Sequence, residues 1–189
     1  YAFTISNNLK SMYLPNEITI IEEGVFSGCH DLESVYFPKN LKKVAIYAFS
    51  ECWNLSDFGG YNVSEDGKCL IIDNILYAFA PKGVTNYIFP DNITTINEGA
   101  CRLSQDLESI TFPEGVKSIC SQAFEDCINL KTITLPQSLQ NLDNYAFKGC
   151  TSFEGFYGNE YFHTSDNKCL LSYANLSHPG PWLVNFAGA

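Results

Sequence analysis

Residues 107–127, LESITFPEGVKSICSQAFEDC, are followed after a short gap by LKTITLPQSLQNLDNYAFKGC at residues 130–150. Both stretches carry leucine, isoleucine, proline, phenylalanine and cysteine at the same relative places, from Leu107 and Leu130 onward. The prolines that mark all the copies are Pro15, Pro38, Pro90, Pro113 and Pro136. Their numbers give a 23-residue period, except that the interval from Pro38 to Pro90 is one period plus a 29-residue insertion. Repetition at so short a period predicts a solenoid of stacked coils.

Seven columns of apolar or small residues accompany the proline in every repeat. From the sixth position before the proline to the fourteenth after it, they are Leu9, Leu32, Val84, Leu107, Leu130; Met12, Val35, Tyr87, Ile110, Ile133; Leu14, Phe37, Phe89, Phe112, Leu135; Ile18, Leu41, Ile93, Val116, Leu139; Ile21, Val44, Ile96, Ile119, Leu142; Phe26, Phe49, Cys101, Phe124, Phe147; and Cys29, Cys52, Ser104, Cys127, Cys150. We expect these columns to form the core.

The order of residue types within one repeat predicts its local structure. The L-x-x-I-x-L part ends in an apolar–polar–apolar alternation that is typical of a half-buried strand, and the proline ends that strand because it has no N–H to donate. The later A-F-x-x-C part is too short for a stable helix, so we expect a turn or a single 3₁₀ turn there. Because one coil cannot bury its own apolar side, coils stacked about 4.8 Å apart should share one continuous core and one parallel sheet.

The full pattern, L-x-x-I-x-L-P-x-x-L-x-x-I-x-x-x-A-F-x-x-C, resembles the BspA-like leucine-rich repeat family over residues 9–150, apart from the insertion. The resemblance implies a β-rich leucine-rich repeat solenoid: stacked 23-residue coils with a parallel β-sheet face, short turn or 3₁₀ segments opposite, and hairpin-bearing variant coils. It also implies a secreted or surface-attached protein that binds other macromolecules. Because this family is defined by its scaffold, no catalytic residues are carried over to this chain.

The repeat pattern also predicts the domain organisation. We expect a single solenoid over residues 1–189, with regular coils at 8–53 and 84–150 and hairpin-bearing coils at 54–83 and 151–189.

Turn-forming dipeptides support the two hairpin-bearing coils. Asp66-Gly67 is a strong hairpin-turn signal, Asp166-Asn167 is a weaker one, and Asp73-Asn74 suggests a second turn in a small meander. We therefore interpret both regions as enlarged coils rather than as new domains.

The first residues, Tyr1-Ala2-Phe3, repeat Tyr47-Ala48-Phe49, so we expect the chain to begin inside a coil and to be a fragment of a longer array. A signal peptide and an anchor would then lie outside this fragment, and we expect an extracellular or cell-surface location.

Composition and charge exclude several classes of protein. A hydrophobic fraction of 46% with only 17% charged residues argues against disorder. Eleven basic against twenty-one acidic residues give a net charge of −10, which argues against a nucleic-acid partner. The longest apolar run, Ile75 to Ala80, is far too short to span a membrane. We expect a monomer.

Cysteine and histidine are the residue types most able to carry chemistry. Neighbouring coils would place the cysteines of the last column roughly 5 Å apart at Cα, a distance that allows disulfides, but stacked side chains point in parallel. We therefore predict buried free thiols, with Cys120, outside that column, as the best candidate for a reactive thiol. No C-x₂-C pair and no H-E-x-x-H motif is present. We expect no catalytic residue, no cofactor and no metal site, and hence no enzyme.

The outward side chains of the strand face form the candidate ligand-binding face. Its residues are Ser11, Tyr13, Ser34, Tyr36, Asn86, Ile88, Ser109, Thr111, Thr132 and Thr134. Tyrosine is favoured at binding surfaces because it combines apolar area with a hydroxyl group, although serine, threonine and tyrosine are also ordinary exposed strand residues.

Two functions remain open from the sequence. The first is a non-enzymatic surface module that binds protein or glycan ligands at a cell surface, of an adhesion or host-interaction type. The alternative is a passive spacer or stalk for another domain of a larger surface protein.

Overall fold

The computed structural model describes residues 2–6, 8–143 and 145–159, together with the backbone of three later strands. The strands are β1 (Ser11–Tyr13), β2 (Ile20–Ile21), β3 (Ser34–Phe37), β4 (Lys43–Val44), β5 (Asp57–Gly60), β6 (Cys69–Ile72), β7 (Ile75–Phe79), β8 (Asn86–Ile88), β9 (Thr95–Ile96), β10 (Ser109–Thr111), β11 (Ser118–Ile119), β12 (Thr132–Thr134), β13 (Asn141–Leu142), β14 (Gly155–Tyr157), β15 (Phe162–Ser165), β16 (Lys168–Leu171) and β17 (Leu183–Val184). No helix occurs in this part of the chain. The predicted β-rich solenoid is confirmed.

Coils are numbered by position along the solenoid. Coils 1 and 2 comprise residues 9–29 and 32–52, coil 3 comprises residues 55–81, and coils 4, 5 and 6 comprise residues 84–104, 107–127 and 130–150.

Each coil contributes its first strand to a parallel face sheet and most contribute a second, two-residue strand after the proline. Ser11 pairs with Ser34, and Ser109 with Thr132, so residues one period apart lie side by side. The second strands stack in the same way, as with β9, β11 and β13. Identical register in successive coils is what turns each sequence column into a physical row of stacked side chains.

The A-F-x-x-C segments form tight corners opposite the face sheet, as predicted. In coils 1, 2, 4 and 5 two positions per corner have positive φ, for example Gly24 (62°) and Gly28 (72°) in coil 1. Successive corners are joined by two backbone hydrogen bonds, from Phe26 N–H to the Ala48 carbonyl and from Gly28 N–H to the Ser50 carbonyl, both 2.9 Å. We call such a pair of bonds the corner rungs.

The predicted core columns are buried or half-buried throughout, and the half-buried members lie in coil 1 or beside coil 3. The cysteine column is fully interior. Its thiols point along the solenoid axis at backbone carbonyls of the preceding coil, as in Cys127 Sγ to Cys101 O at 3.2 Å and Cys150 Sγ to Phe124 O at 3.3 Å. These cysteines are free thiols, so the burial prediction is confirmed.

The expectation of one continuous core was wrong, and the parallel face sheet is divided at the same place. The face strands form a three-stranded sheet, β1-β3-β5, and a separate four-stranded sheet, β8-β10-β12-β14. The apolar interior likewise divides into two clusters. We call coils 1 and 2 the N-terminal block and coils 4 to 6 the C-terminal block.

The β6–β7 hairpin causes the division. Strand β6 is buried on both faces: Leu70 and Ile72 pack into the N-terminal cluster, whereas Cys69 and Ile71 pack into the C-terminal one. Both predicted turns of this meander are confirmed. Val63 bridges to Leu70 around Asp66-Gly67, and Asp73-Asn74 has two positive φ values, 50° and 65°, between antiparallel strands.

The insertion is itself one coil of the solenoid. Leu55 and Phe58 follow Leu32 and Val35 at the regular repeat spacing and are buried in the same columns. Its corner is Phe79, which donates a backbone hydrogen bond to the Ala100 carbonyl at 3.0 Å. Coil 3 therefore keeps the first strand and the corner of a regular coil and adds the hairpin between them.

The second predicted hairpin, around Asp166-Asn167, is flanked by β15 and β16, which pair antiparallel as expected. Asp166 and Asn167 themselves, like most of the tail after Leu171, lie outside the described residues.

Candidate ligand-binding face

The structure places the ten predicted face residues in two patches rather than one row. The tyrosine patch contains Ser11, Tyr13, Ser34 and Tyr36, and the threonine patch contains Asn86, Ile88, Ser109, Thr111, Thr132 and Thr134. Within each patch the residues pair in register across parallel strands. Between the patches the Asp66-Gly67 turn replaces a strand pair, because the Phe58 N–H bonds to the Gly67 carbonyl at 2.7 Å.

Tyr13 and Tyr36 form the most exposed aromatic surface of the tyrosine patch. Their rings are stacked, with centroids 4.2 Å apart and an interplanar angle of 4°, and they are 68% and 38% exposed. Gly59 follows in the same row, and a Cβ atom there would lie 2.5 Å from the Tyr36 ring. The absence of a side chain at Gly59 thus lets Tyr36 lie flat against the strand, with Tyr13 stacked on it.

Charged side chains flank the tyrosine pair. Lys10 Nζ lies 3.7 Å from Glu33 Oε1, and Lys68 Nζ lies 3.4 Å from Asp57 Oδ1. Hydrogen bonding and charge repulsion from the Tyr36 hydroxyl raise the pKa of Tyr13, so its hydroxyl is neutral at physiological pH. The patch combines a neutral aromatic platform with donors and acceptors of both charges.

The threonine patch is more polar and more regular. Ser109 Oγ donates to Asn86 Oδ1 at 2.6 Å, and Lys131 Nζ pairs with Glu108 Oε2 at 2.8 Å. This ion pair raises the pKa of Lys131, first through the hydrogen bond and then through the charge of Glu108. Only Ile88, 74% exposed, offers a large apolar surface among the predicted residues here.

The boundary between the two patches is held by a polar cluster. The Tyr87 hydroxyl donates to Asp66 Oδ2 at 2.8 Å and lies 3.3 Å from Cys69 Sγ. Burial opposes ionisation of Asp66, but hydrogen bonds from Ser64, the Lys68 amide and Tyr87 outweigh it and lower the pKa of this carboxyl. Burial raises the pKa of Cys69 to about 12, so this thiol is protonated.

Sequence reasoning missed face residues that the same repeat spacing could have found. Asp57 and Gly59 continue the rows of Ser34 and Tyr36, and Tyr157, 57% exposed, continues the row of Thr134. The prolines do not mark these two coils, which have Tyr61 and Asn159 where the next prolines would stand.

Cys120 is half-buried, and the other cysteines of residues 2–6, 8–143 and 145–159 are buried. Burial, followed by the charges of Asp143 and Glu98, raises the pKa of Cys120. Since the thiolate is the reactive form, the expectation that Cys120 is a reactive thiol is not supported. Within the same residues, no group of three or more His, Cys, Asp or Glu side chains could hold a metal ion. No helix of the described chain is long and apolar enough to cross a membrane.

Comparison with solved structures places this geometry among leucine-rich repeat proteins. A leucine-rich repeat protein from Bacteroides ovatus has 25% sequence identity and a TM-score of 0.50; the match covers 80% of this chain and 43% of that one. The pneumococcal vaccine antigen PcpA has 20% identity and a TM-score of 0.57; the match covers 80% of this chain and 47% of that one. A leucine-rich cell surface protein from Faecalibacterium prausnitzii has 17% identity and a TM-score of 0.41; the match covers 87% of this chain and 62% of that one.

The chain therefore spans less than two thirds of the length of each of these proteins. No curated protein sequence matches it significantly. The model of the BspA type leucine-rich repeat region matches in six copies over residues 1–63 and 75–179, and the unmatched residues between them carry the turn of the hairpin. With most of its length matched by this model and its coils stacked as the pattern requires, the chain belongs to the BspA-type leucine-rich repeat family.

Proposed function

We propose that the protein is a non-enzymatic surface module that binds a protein or glycan ligand through the tyrosine patch. One observation carries this proposal: Tyr13 and Tyr36 stack on each other and form one continuous exposed aromatic surface on a rigid parallel sheet. Contiguous exposed apolar patches mark interaction sites, and tyrosine is enriched at the centres of binding sites. A rigid platform also loses little conformational entropy on binding.

The threonine patch serves as a secondary contact surface in this proposal. Its rows of hydroxyl groups, with Asn86 and the Lys131–Glu108 pair, can donate and accept hydrogen bonds but offer little apolar area. The hairpin between the patches limits how far a ligand can extend along both. The extracellular or cell-surface location and the protein or glycan nature of the ligand belong to the same proposal and are supported by membership of the family. A monomeric state is also part of this proposal.

The test is a paired substitution, Tyr13→Ala with Tyr36→Ala, against the matched control Tyr145→Ala. Tyr145 is 54% exposed at a corner, away from the face, so the control removes a similar aromatic surface elsewhere. Binding is measured on glycan arrays and by pull-down from the natural environment. We expect the pair to weaken binding by roughly 1 kcal/mol or more per hot-spot residue and the control to leave it unchanged.

A passive spacer is the competing function, and the same experiment separates the two. If the wild-type chain retains no ligand, or if the tyrosine pair and the Tyr145 control behave alike, the tyrosine patch is not a binding site and the spacer is favoured.

A further inference from the structure

The corner rungs are complete at every regular junction between described corners. Coil 4 joins coil 5 through Cys101 N–H to Ala123 O and Leu103 N–H to Glu125 O, at 2.8 and 2.9 Å. Coil 5 joins coil 6 through Phe124 N–H to Ala146 O, at 2.7 Å, and through the Asp126 amide. Two backbone bonds per junction are therefore the rule of this solenoid.

Coil 2 makes neither rung to the described corner that follows it, that of coil 3. The N–H groups of Phe49 and Glu51 occupy the rung positions but form no hydrogen bond with any described residue. On the opposite side, the carbonyl of Arg102 in coil 4 receives no rung from the described chain either. At regular junctions the residue opposite Phe49 is the one before the next phenylalanine, here Ala78, whereas Glu51 and Arg102 would bond the residues after Phe79.

The cause lies in the short corner of coil 3. Its chain reaches the corner at Phe79, makes one rung to Ala100, and then turns away through Ala80-Pro81-Lys82, which stand at the x-x-C positions of a regular corner. The residue at the second rung position is Pro81, which has no N–H to donate. Coils 2 and 4 are thus held one coil apart at their corners, and the intervening coil makes only part of the usual contacts between them.

The short corner leaves a cleft of about 140 Å³, lined by the corners of coils 2 and 4 and by Trp53, Lys82 and Asp106. The cleft is comparable in size with a cavity that admits a six-membered ring. Arg102 lies across it and holds the corners together, with Nη1 3.4 Å from Ser50 Oγ and its guanidinium 5.5 Å from the centre of the Tyr47 ring. A scaffold side chain, rather than collapse of the coils, keeps the cleft open.

The charge of the cleft is negative. Among the described residues that line it, Glu51, Glu98 and Asp106 stand against Lys82 and Arg102. Arg102 already forms salt bridges with Glu125, at 2.8 Å, and with Asp126. A basic or neutral occupant therefore fits better than an anion.

We propose that this cleft binds a short main-chain segment of a partner protein, made of small and basic residues. One of its carbonyl groups accepts a hydrogen bond from the Glu51 amide, and the following N–H donates to the Arg102 carbonyl. The segment takes the place from which Ala80 and Pro81 turn away and completes these two rungs. A sugar could fill the same volume, but the Glu51 amide and the Arg102 carbonyl stand at positions that bond a peptide backbone at the regular junctions. This site is separate from the tyrosine patch and does not depend on it.

The experiment is an NMR titration of the whole chain with the capped tripeptide acetyl-Lys-Gly-Ser-amide. This probe copies the Lys148-Gly149-Cys150 corner, with serine at the cysteine position as Ser104 has in coil 4. We expect saturable shifts of the Glu51 amide at millimolar peptide and about tenfold slower hydrogen exchange at this amide, as one added hydrogen bond allows. The rung amides of Phe26 and Gly28 serve as internal controls and should not change.

Matched variants make the result specific. Ser50→Leu narrows the cleft and should abolish the shifts, whereas Ser27→Leu at the equivalent position of coil 1 should leave them intact. A second variant, Glu98→Gln, removes one negative charge from the cleft without adding bulk, and it should weaken binding of the lysine peptide several-fold. The peptide acetyl-Glu-Gly-Ser-amide should bind the wild-type chain more weakly than the lysine peptide does. The proposal is overturned if the tripeptide gives no saturable shift at the Glu51 amide, or if glucose or N-acetylglucosamine shifts this amide and the tripeptide does not.

Discussion

The N-terminal and C-terminal blocks are built from the same repeat, yet their corners differ. In the C-terminal block Phe124 and Phe147 are fully buried and stacked, with centroids 5.2 Å apart. In the N-terminal block Phe26 is equally buried, but Phe49 is only half-buried because the short corner of coil 3 does not cover it. The burial of a coil thus depends on the coil next to it. The same residue type in the same column can therefore lie in the core of one coil and line a cleft in another.

The largest expected effect comes from truncating one phenylalanine in each block. Phe124→Ala should cost about 3–5 kcal/mol of the free energy of unfolding, because it empties a fully packed site, and Phe49→Ala should cost clearly less. Urea denaturation gives the free energies, and hydrogen exchange should show protection lost first in residues 107–150 for Phe124→Ala. Even loss along the whole chain would mean that the two cores do not behave as separate units.

The second prediction concerns the strand that divides the cores. Leu70→Ala should destabilise the N-terminal block and Ile71→Ala the C-terminal block, because these neighbours in β6 pack into opposite clusters. Each should cost about 2–4 kcal/mol. Residue-resolved hydrogen exchange checks the assignment, and each variant is the matched control for the other. If both variants weakened the same block, the division of the core at β6 would be wrong.

The third prediction concerns how the free energy of unfolding depends on pH, and its effects should be the smallest. Glu125 is buried, and burial opposes its ionisation. Hydrogen bonds and charge from Arg102 and Lys148 outweigh this effect and lower the pKa of Glu125. Hydrogen bonds likewise lower the pKa of Asp66 beside the hairpin. A carboxylate whose pKa is lower in the folded state than in the unfolded state stabilises the fold at any pH above its ordinary pKa, which is 4.5 for Glu125 and 3.8 for Asp66. This stabilisation is lost as the pH falls through the pKa of the folded state. Each carboxylate should contribute on the order of 1 kcal/mol or less.

Urea midpoints measured from neutral pH downward check this prediction. Glu125→Gln should flatten the acid slope mainly in the C-terminal block, and Asp66→Asn should flatten it at the boundary of the blocks. Glu17→Gln, at an exposed glutamate, is the control. Unchanged slopes in both test variants would show that these ion pairs and hydrogen bonds do not favour the folded state.

Most of the fold could be predicted from the sequence because the repeat constrains each column independently many times over. Leu107, Ile110 and Phe112, for example, are buried as the pattern requires. The exposed rows were equally predictable, since a strand alternates its side chains and a fixed register stacks them. The stacking of Tyr13 on Tyr36 was not predictable, because it depends on Gly59 in the next coil and on ring orientation that spacing does not specify.

Coil 3 shows where sequence reasoning stopped. The turns at Asp66-Gly67 and Asp73-Asn74 were predicted, and so was an enlarged coil, but the repeat signal at Leu55, Phe58 and Phe79 was overlooked. Continuous apolar residues in Cys69–Ile72 are typical of a strand buried on both faces, yet nothing in the local pattern states that its two faces belong to two different cores.

Local periodicity and residue types that recur once in every period are enough to specify the repeat, the core columns, the turns and the outward rows. The packing of coil 3 depends instead on tertiary contacts. Its hairpin splits the face sheet and separates the two cores, and its short corner leaves Phe49 partly uncovered beside the cleft at Arg102. Such contacts cannot be read from one repeat because backbone hydrogen bonds and burial at each corner are completed by a neighbouring coil. A repeat motif specifies one coil, whereas contacts between unlike coils are fixed only when the whole stack is assembled.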